Sequence, residues 1–208
     1  MGDIKVKLNN IGKRYGYEWV FKELTCSFDE QKSYAILGNN GSGKSTLMQI
    51  IAGSLMPSKG ELSYQIEGKI IVPENYYTYL SWCAPYIEPI NDFTLPELLR
   101  FQQQFKPFIY NLTVDDILKI SELNTAKHKL LRYYSSGMKQ RAKLVMAVLA
   151  DTPILLLDEP TSNLDKMGIQ WYQSLIQQYT QNRLIIVASN QSYEYDFCSE
   201  KIWIKNYR

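Results

Sequence analysis

Histidine and cysteine are scarce in this 208-residue chain, which has one of the first and three of the second. Cys26, Cys83 and Cys198 are odd in number, far apart and without CxxC spacing. That excludes a disulfide framework and a zinc site, and reads as reduced thiols in a cytosolic protein. The lone His128 has no His or Cys close to it in sequence and reads as an ordinary helical-face residue. An excess of one charge is lacking too: 23 Lys+Arg stand against 21 Asp+Glu, a formal +2. No basic stripe of the kind nucleic acid requires follows from such a balance. The longest apolar run, Leu144–Ala150, falls far short of the ~20 residues that cross a bilayer. The opening Met1-Gly-Asp-Ile-Lys has none of the apolar stretch of a signal peptide.

The composition that remains, 45% hydrophobic and 21% charged, is that of an ordinary globular protein and excludes a disordered or fibrous one. At roughly 100–200 residues per domain, the length predicts one domain or a domain with a small subdomain. Ile4, Val6 and Leu8 alternate with Lys5 and Lys7 as in a half-buried strand. A second short strand is expected at Leu24–Phe28, and a pair around Gly68 within residues 60–72. Ser33–Leu37, Pro153–Leu157 and Leu184–Ala188 read as buried strands. Lys44–Ala52, most of Leu95–Ala150, and Lys166–Tyr179 read as helical. Apolar strands alternating with helices predict an α/β protein with a parallel sheet covered on both faces. The early strands add a small antiparallel flank, and the helical middle a lobe of its own.

Gly38, Asn39, Asn40, Gly41, Ser42, Gly43, Lys44 and Ser45 match G-x-x-x-x-G-K-[ST] between a buried strand and a helix. Glycines at 38, 41 and 43 let successive N–H groups turn inward into an anion-binding nest. The helix N-terminus adds partial positive charge. Lys44 is placed to bridge the β- and γ-phosphates, and the Ser45 hydroxyl to coordinate Mg2+. A glycine-rich turn that binds nothing is the alternative. Far downstream, Asp158 and Glu159 close an apolar strand at its carboxyl end, where open α/β sheets place ligands. Asp158 is expected to hold Mg2+ through water, and Glu159 to polarise a water for in-line attack. Taken alone, the pair could equally cap a turn.

With these motifs in order, the chain resembles the ATP-binding cassette (ABC) ATPases over nearly its whole length. The phosphate loop extends to Thr46, and Asp158-Glu-Pro-Thr-Ser-Asn-Leu-Asp165 is similar to the family's metal-binding strand end and D-loop. Between them, Tyr134-Ser-Ser-Gly-Met-Lys-Gln-Arg141 is similar to the LSGGQ signature. The resemblance implies a phosphate-loop NTPase (RecA-like) core with an inserted helical lobe, as a single domain over 1–208. About 1–82 would form the flank and first core half, 83–150 the lobe and 151–208 the second half. It also implies that Ser135, Ser136 and Gly137, at a helix N-terminus, meet the nucleotide of a second subunit, with Asp165 in the D-loop. A head-to-tail homodimer, ATP and Mg2+ follow, as does a separate membrane permease. The expected location is cytoplasmic, peripheral on the inner face of the cell membrane, and no nucleic-acid partner is expected. Without the resemblance, Ser135 and Ser136 read as a helix cap.

Tyr15 matches the position that stacks on adenine, with Tyr17 and Trp19 as alternatives. Tyr86, Phe93 and Phe108 are candidates for receiving a permease helix, or they pack the lobe. Four positions depart from the pattern. Ala84 stands where the Q-loop glutamine falls and Asn190 where the switch histidine falls. Ser136 replaces a glycine and Met138 a glutamine. Losing one polar transition-state contact costs about 10²–10³ in rate, so the expected activity is slow ATP hydrolysis driving transport. The alternatives are a nucleotide-gated regulatory cassette and an ABC ATPase acting on nucleic acid or ribosomes.

Overall fold

Alternating burial begins at once. In β1 (Ile4–Tyr15), Ile4, Val6 and Leu8 are buried while Lys7 faces out. The computed structural model describes residues 4–30 and 32–207, so the leader reading of the first five residues lies partly outside them. A tight turn at Gly16 returns β1 into β2 (Glu18–Asp29), paired Tyr15 to Glu18 and Lys5 to Asp29 with register shifts between. This strand is much longer than the expected Leu24–Phe28. After β3 (Ser33–Leu37) and α1 (Lys44–Ile51) come β4 (Lys59–Ile66) and β5 (Lys69–Ile71), paired about Gly68. Together they build an antiparallel sheet in the order β2-β1-β4-β5.

A short α2 (Tyr76–Tyr79) leads to β6 (Leu80–Cys83). Three helices follow: α3 (Leu95–Gln103), α4 (Val114–Ile120) and α5 (Ser136–Val148). The chain then runs through β7 (Ile154–Asp158), α6 (Lys166–Tyr179), β8 (Leu184–Ala188), α7 (Ser192–Tyr195) and β9 (Glu200–Trp203). The second sheet has the order β6-β7-β8-β3-β9, with β7, β8, β3 and β9 parallel. Every residue of β7 and β8 is buried, as continuous apolar runs demand. The fold is the expected α/β phosphate-loop core with an antiparallel flank.

Two compact units divide the chain. One holds the chain up to Trp82, Pro153–Glu159 and the chain from Asn182 onward; the other holds Cys83–Thr152 and Pro160–Gln181. The first has a continuous core that joins Val6, Phe21 and Phe28 to Met48, Tyr64, Leu156 and Ile186. Within it Tyr64 stacks on Tyr76 with ring centroids 3.9 Å apart.

In the second unit, Thr94 and Thr113 open α3 and α4 with reciprocal capping boxes to Glu97 and Asp116. The indole Nε1–H of Trp171 donates to the Ile120 carbonyl at 2.8 Å, and the Arg141 guanidinium lies 4.6 Å from that ring. Of the two readings of Phe108, packing of the lobe is the one observed: it is buried, where its segment bridges to Ala150. Phe93 is half-buried against Phe101 at 5.9 Å, and Tyr86 is exposed. His128 sits in an exposed turn, not on a helical face. Among the described residues no helix is long and apolar enough to cross a membrane.

Candidate functional site

The strand β3 ends at Leu37 and the chain turns through residues 38–43 into α1. Only glycine fits the tightest parts of that turn. Gly43 has φ +102, and a Cβ there would lie 2.5 Å from Val20 Cγ1. A Cβ on Gly38 would lie 2.5 Å from Ser42 Oγ. With no Cβ at either place, Val20, Asn40, Gly41, Ser42, Gly43, Lys44, Ser45, Thr46 and Glu159 line a cavity of about 270 Å³.

Its electrostatics suit an anion. No side chain caps α1, and its first turn carries no acid, so its N–H groups and dipole point at the loop uncompensated. Ser42 Oγ is buried with no hydrogen-bond partner among the described residues. Lys44 Nζ donates to the Gly38 carbonyl at 2.8 Å and to that of Asn39 at 3.3 Å, so the loop closes on its own cation. Burial lowers the Lys44 pKa, while Glu159 and then Asp158 pull it back up. A polyphosphate fits this cradle. For Mg2+, the hydroxyl of Ser45 and the carboxylate of Asp158 are hard oxygen donors of the right kind. No group of three or more His, Cys, Asp or Glu that could hold a metal occurs among the described residues. Mg2+ typically uses one or two protein ligands together with substrate phosphates, which these donors match.

Asp158 is fully buried at the end of β7, in register with Ala188. The next residue, Glu159, donates its backbone N–H to the Ala188 carbonyl at 2.9 Å and adopts φ +44. A non-glycine residue there is uncommon and strained. A second cavity of about 620 Å³ is lined by Leu37, Gly38, Asn39, Asn40, Ser189, Asn190, Tyr195 and Trp203. On its wall Asn190 Nδ2 donates to Asn40 Oδ1. Tyr15 stands at the end of β1, 56% exposed, with Lys13 Nζ 5.3 Å from its ring, and lines neither cavity. Tyr17 is more exposed still, and Trp19 lies under Arg14.

In the other unit, Ser135 caps α5 by accepting from Met138 N at 3.2 Å, with Ser136 exposed and Gly137 half-buried behind it. Asp165 caps α6 by accepting from Gly168 N at 2.8 Å. The buried Gln140 donates from Nε2 to the Pro160 carbonyl at 2.6 Å, and Lys143 Nζ donates to the carbonyl of the buried Ala84 at 3.1 Å. Sequence reasoning assigned no role to Val20, Gln140 or Glu194. A buried polar side chain inside a helix is the one signal that Gln140 offered. Gln140→Ala strands the Pro160 carbonyl, and the loss of such a partner costs about 1–3 kcal/mol. The midpoint of urea unfolding is expected to fall accordingly; an unchanged midpoint contradicts this role.

Comparison with known proteins agrees with this geometry. The family model described as "ABC transporter" matches residues 21–162. An uncharacterized ABC transporter ATP-binding protein of Bacillus subtilis, YhcH, is 29% identical over 96% of this chain, which spans 66% of that protein's length. The cytochrome c biogenesis ATP-binding export protein CcmA of Agrobacterium fabrum is 28% identical over 86% of this chain and 85% of its own. A dimeric bacterial ABC transporter cassette of known structure superposes with a TM-score of 0.75, covering 95% of this chain and 93% of its own at 20% identity. That last likeness speaks for the fold.

Proposed function

This chain belongs to the ABC transporter family, and on that premise we propose that it binds and slowly hydrolyses ATP to drive a separate membrane permease. The observation that carries this reading is the glycine-turned loop whose cavity also takes in Glu159. Its relatives are named as ATP-binding proteins, and ATP hydrolysis is general to the family.

In this reading the N–H groups of the loop from Gly38 to Thr46 hold the triphosphate, and Lys44 bridges its β- and γ-phosphates. Ser45 and Asp158 hold Mg2+, which neutralises charge on the phosphates. Glu159 takes a proton from the attacking water, and Asn190 donates an amide N–H to the γ-phosphate. Tyr15 lies against the adenine. The two units act as one nucleotide-binding domain. Ser135, Ser136, Gly137 and Asp165 of a second copy complete the site, so that each chain of a head-to-tail dimer lends its α5 N-terminus to the other. The relative described as dimeric supports that assembly, and the export protein supports outward transport. Such a chain works on the cytoplasmic face of a membrane through its permease.

A second reading, a nucleotide-gated regulatory cassette, is favoured by Ala84 and Asn190. One experiment separates them: Mg-ATP turnover of the native chain and of Asn190→His from about pH 5.5 to 8.5. Asn190 does not titrate, so the native profile should show no step from this position. An imidazolium at 190 adds a charge-assisted hydrogen bond. A roughly tenfold gain is expected while it is charged, lost as pH rises through its pKa. ATP binding without hydrolysis by either protein favours the regulatory reading; failure to bind ATP ends both.

A further inference from the structure

We infer that the buried pair Ser189 and Glu194 positions Asn190 over the phosphate loop, a role that goes beyond Asn190 itself and rests on the reading of Asn190 as the γ-phosphate contact. Glu194 is 2% exposed and Ser189 fully buried. A carboxylate so placed is costly unless hydrogen bonds satisfy it, and one of its partners is the Ser189 hydroxyl, which donates to Glu194 Oε2. The same hydroxyl oxygen accepts from Gln191 N at 2.8 Å, and Glu194 N donates to the Gln191 carbonyl at 3.0 Å. Ser189 is in turn tied to the sheet, its N–H donating to the Ile36 carbonyl at 3.3 Å.

Asn190 is therefore pinned on both sides while its own side chain stays exposed and reaches Asn40. The pin matters because an amide is shorter than an imidazole and has less reach to recover from a displaced backbone. A misplacement of about 1 Å at a reacting group can cost ~10² in rate. Glu194 and Ser189 are positioning residues in this sense, and neither lines the 270 Å³ cavity.

The first readout needs no turnover: the side-chain amide signal of Asn190 in ¹H–¹⁵N spectra of the nucleotide-free chain. Glu194→Ala is expected to move that signal to the position of a free, exposed asparagine. Glu194→Gln, whose amide oxygen still accepts from Ser189, should leave it in place. The second readout is kinetic. Glu194→Ala should lower kcat by ~10–10² with ATP affinity kept within about twofold. Ser189→Ala should match it, and the double variant should add little. If Glu194→Ala does not fold, Ser189→Ala carries both measurements. An unmoved Asn190 signal in folded Glu194→Ala or Ser189→Ala overturns the inference, as does a kcat that Glu194→Gln loses equally with Glu194→Ala. A native chain without turnover counts against the proposed function alone, because the spectrum still decides this question.

Discussion

Glu159→Gln is expected to cut Mg-ATP turnover by about 10²–10⁴-fold, the usual contribution of a general base, with ATP affinity nearly unchanged. Gln is isosteric with Glu, so the 270 Å³ cavity it lines keeps its shape and only the proton acceptor is lost. The ATP-bound state should then accumulate, and with it the head-to-tail dimer proposed above. Single-turnover phosphate release and light scattering with and without Mg-ATP read the two effects on one sample. Turnover within about threefold of native would show that another group takes the proton.

Lys44→Ala should weaken ATP binding by roughly 10–150-fold, from a loss of about 1.5–3 kcal/mol for hydrogen bonds to a charged group. The same side chain ties the loop together through the Gly38 and Asn39 carbonyls. Its cation is held below its ordinary pKa by burial, so the unfolded chain binds this proton more tightly. The resulting penalty on the fold is present at neutral pH and is relieved as pH rises through the depressed value. A triphosphate opposes that penalty directly. Mg-ATP should therefore raise the melting temperature of the native chain and move that of Lys44→Ala far less. Equal shifts in calorimetry would remove Lys44 from the phosphate contacts.

Much of this was legible because the chemistry dictates the residues. Glycine is forced at 43 by a positive φ and a near approach to Val20, so the motif carries its own geometry. Continuous apolar runs marked β3, β7 and β8, and the 3.6-residue period marked α6 to its observed ends. Less visible was β6, whose Ser81 is buried because Arg183 Nη2 donates to its hydroxyl at 3.0 Å from about a hundred residues away. In the edge strand β9 every residue but the half-buried Ile202 is exposed, so it shows neither run nor alternation. The first half of β2 was missed because Glu18 and Trp19 are exposed and the register against β1 slips there. Gln140 and Glu194 escaped because the sequence does not declare the burial of a polar residue, and their partners, Pro160 and Ser189, show only in the fold.

The positive φ at Glu159 sets stability against the chemistry proposed for this residue. Glycine would accept that backbone without strain, and asparagine more readily than glutamate, so either would relieve a cost of the order of 1–3 kcal/mol. Neither could replace the carboxylate. Directed evolution for heat resistance alone would thus drift toward inert proteins at this position. Any stabilised version of this chain should be made with residue 159 held fixed.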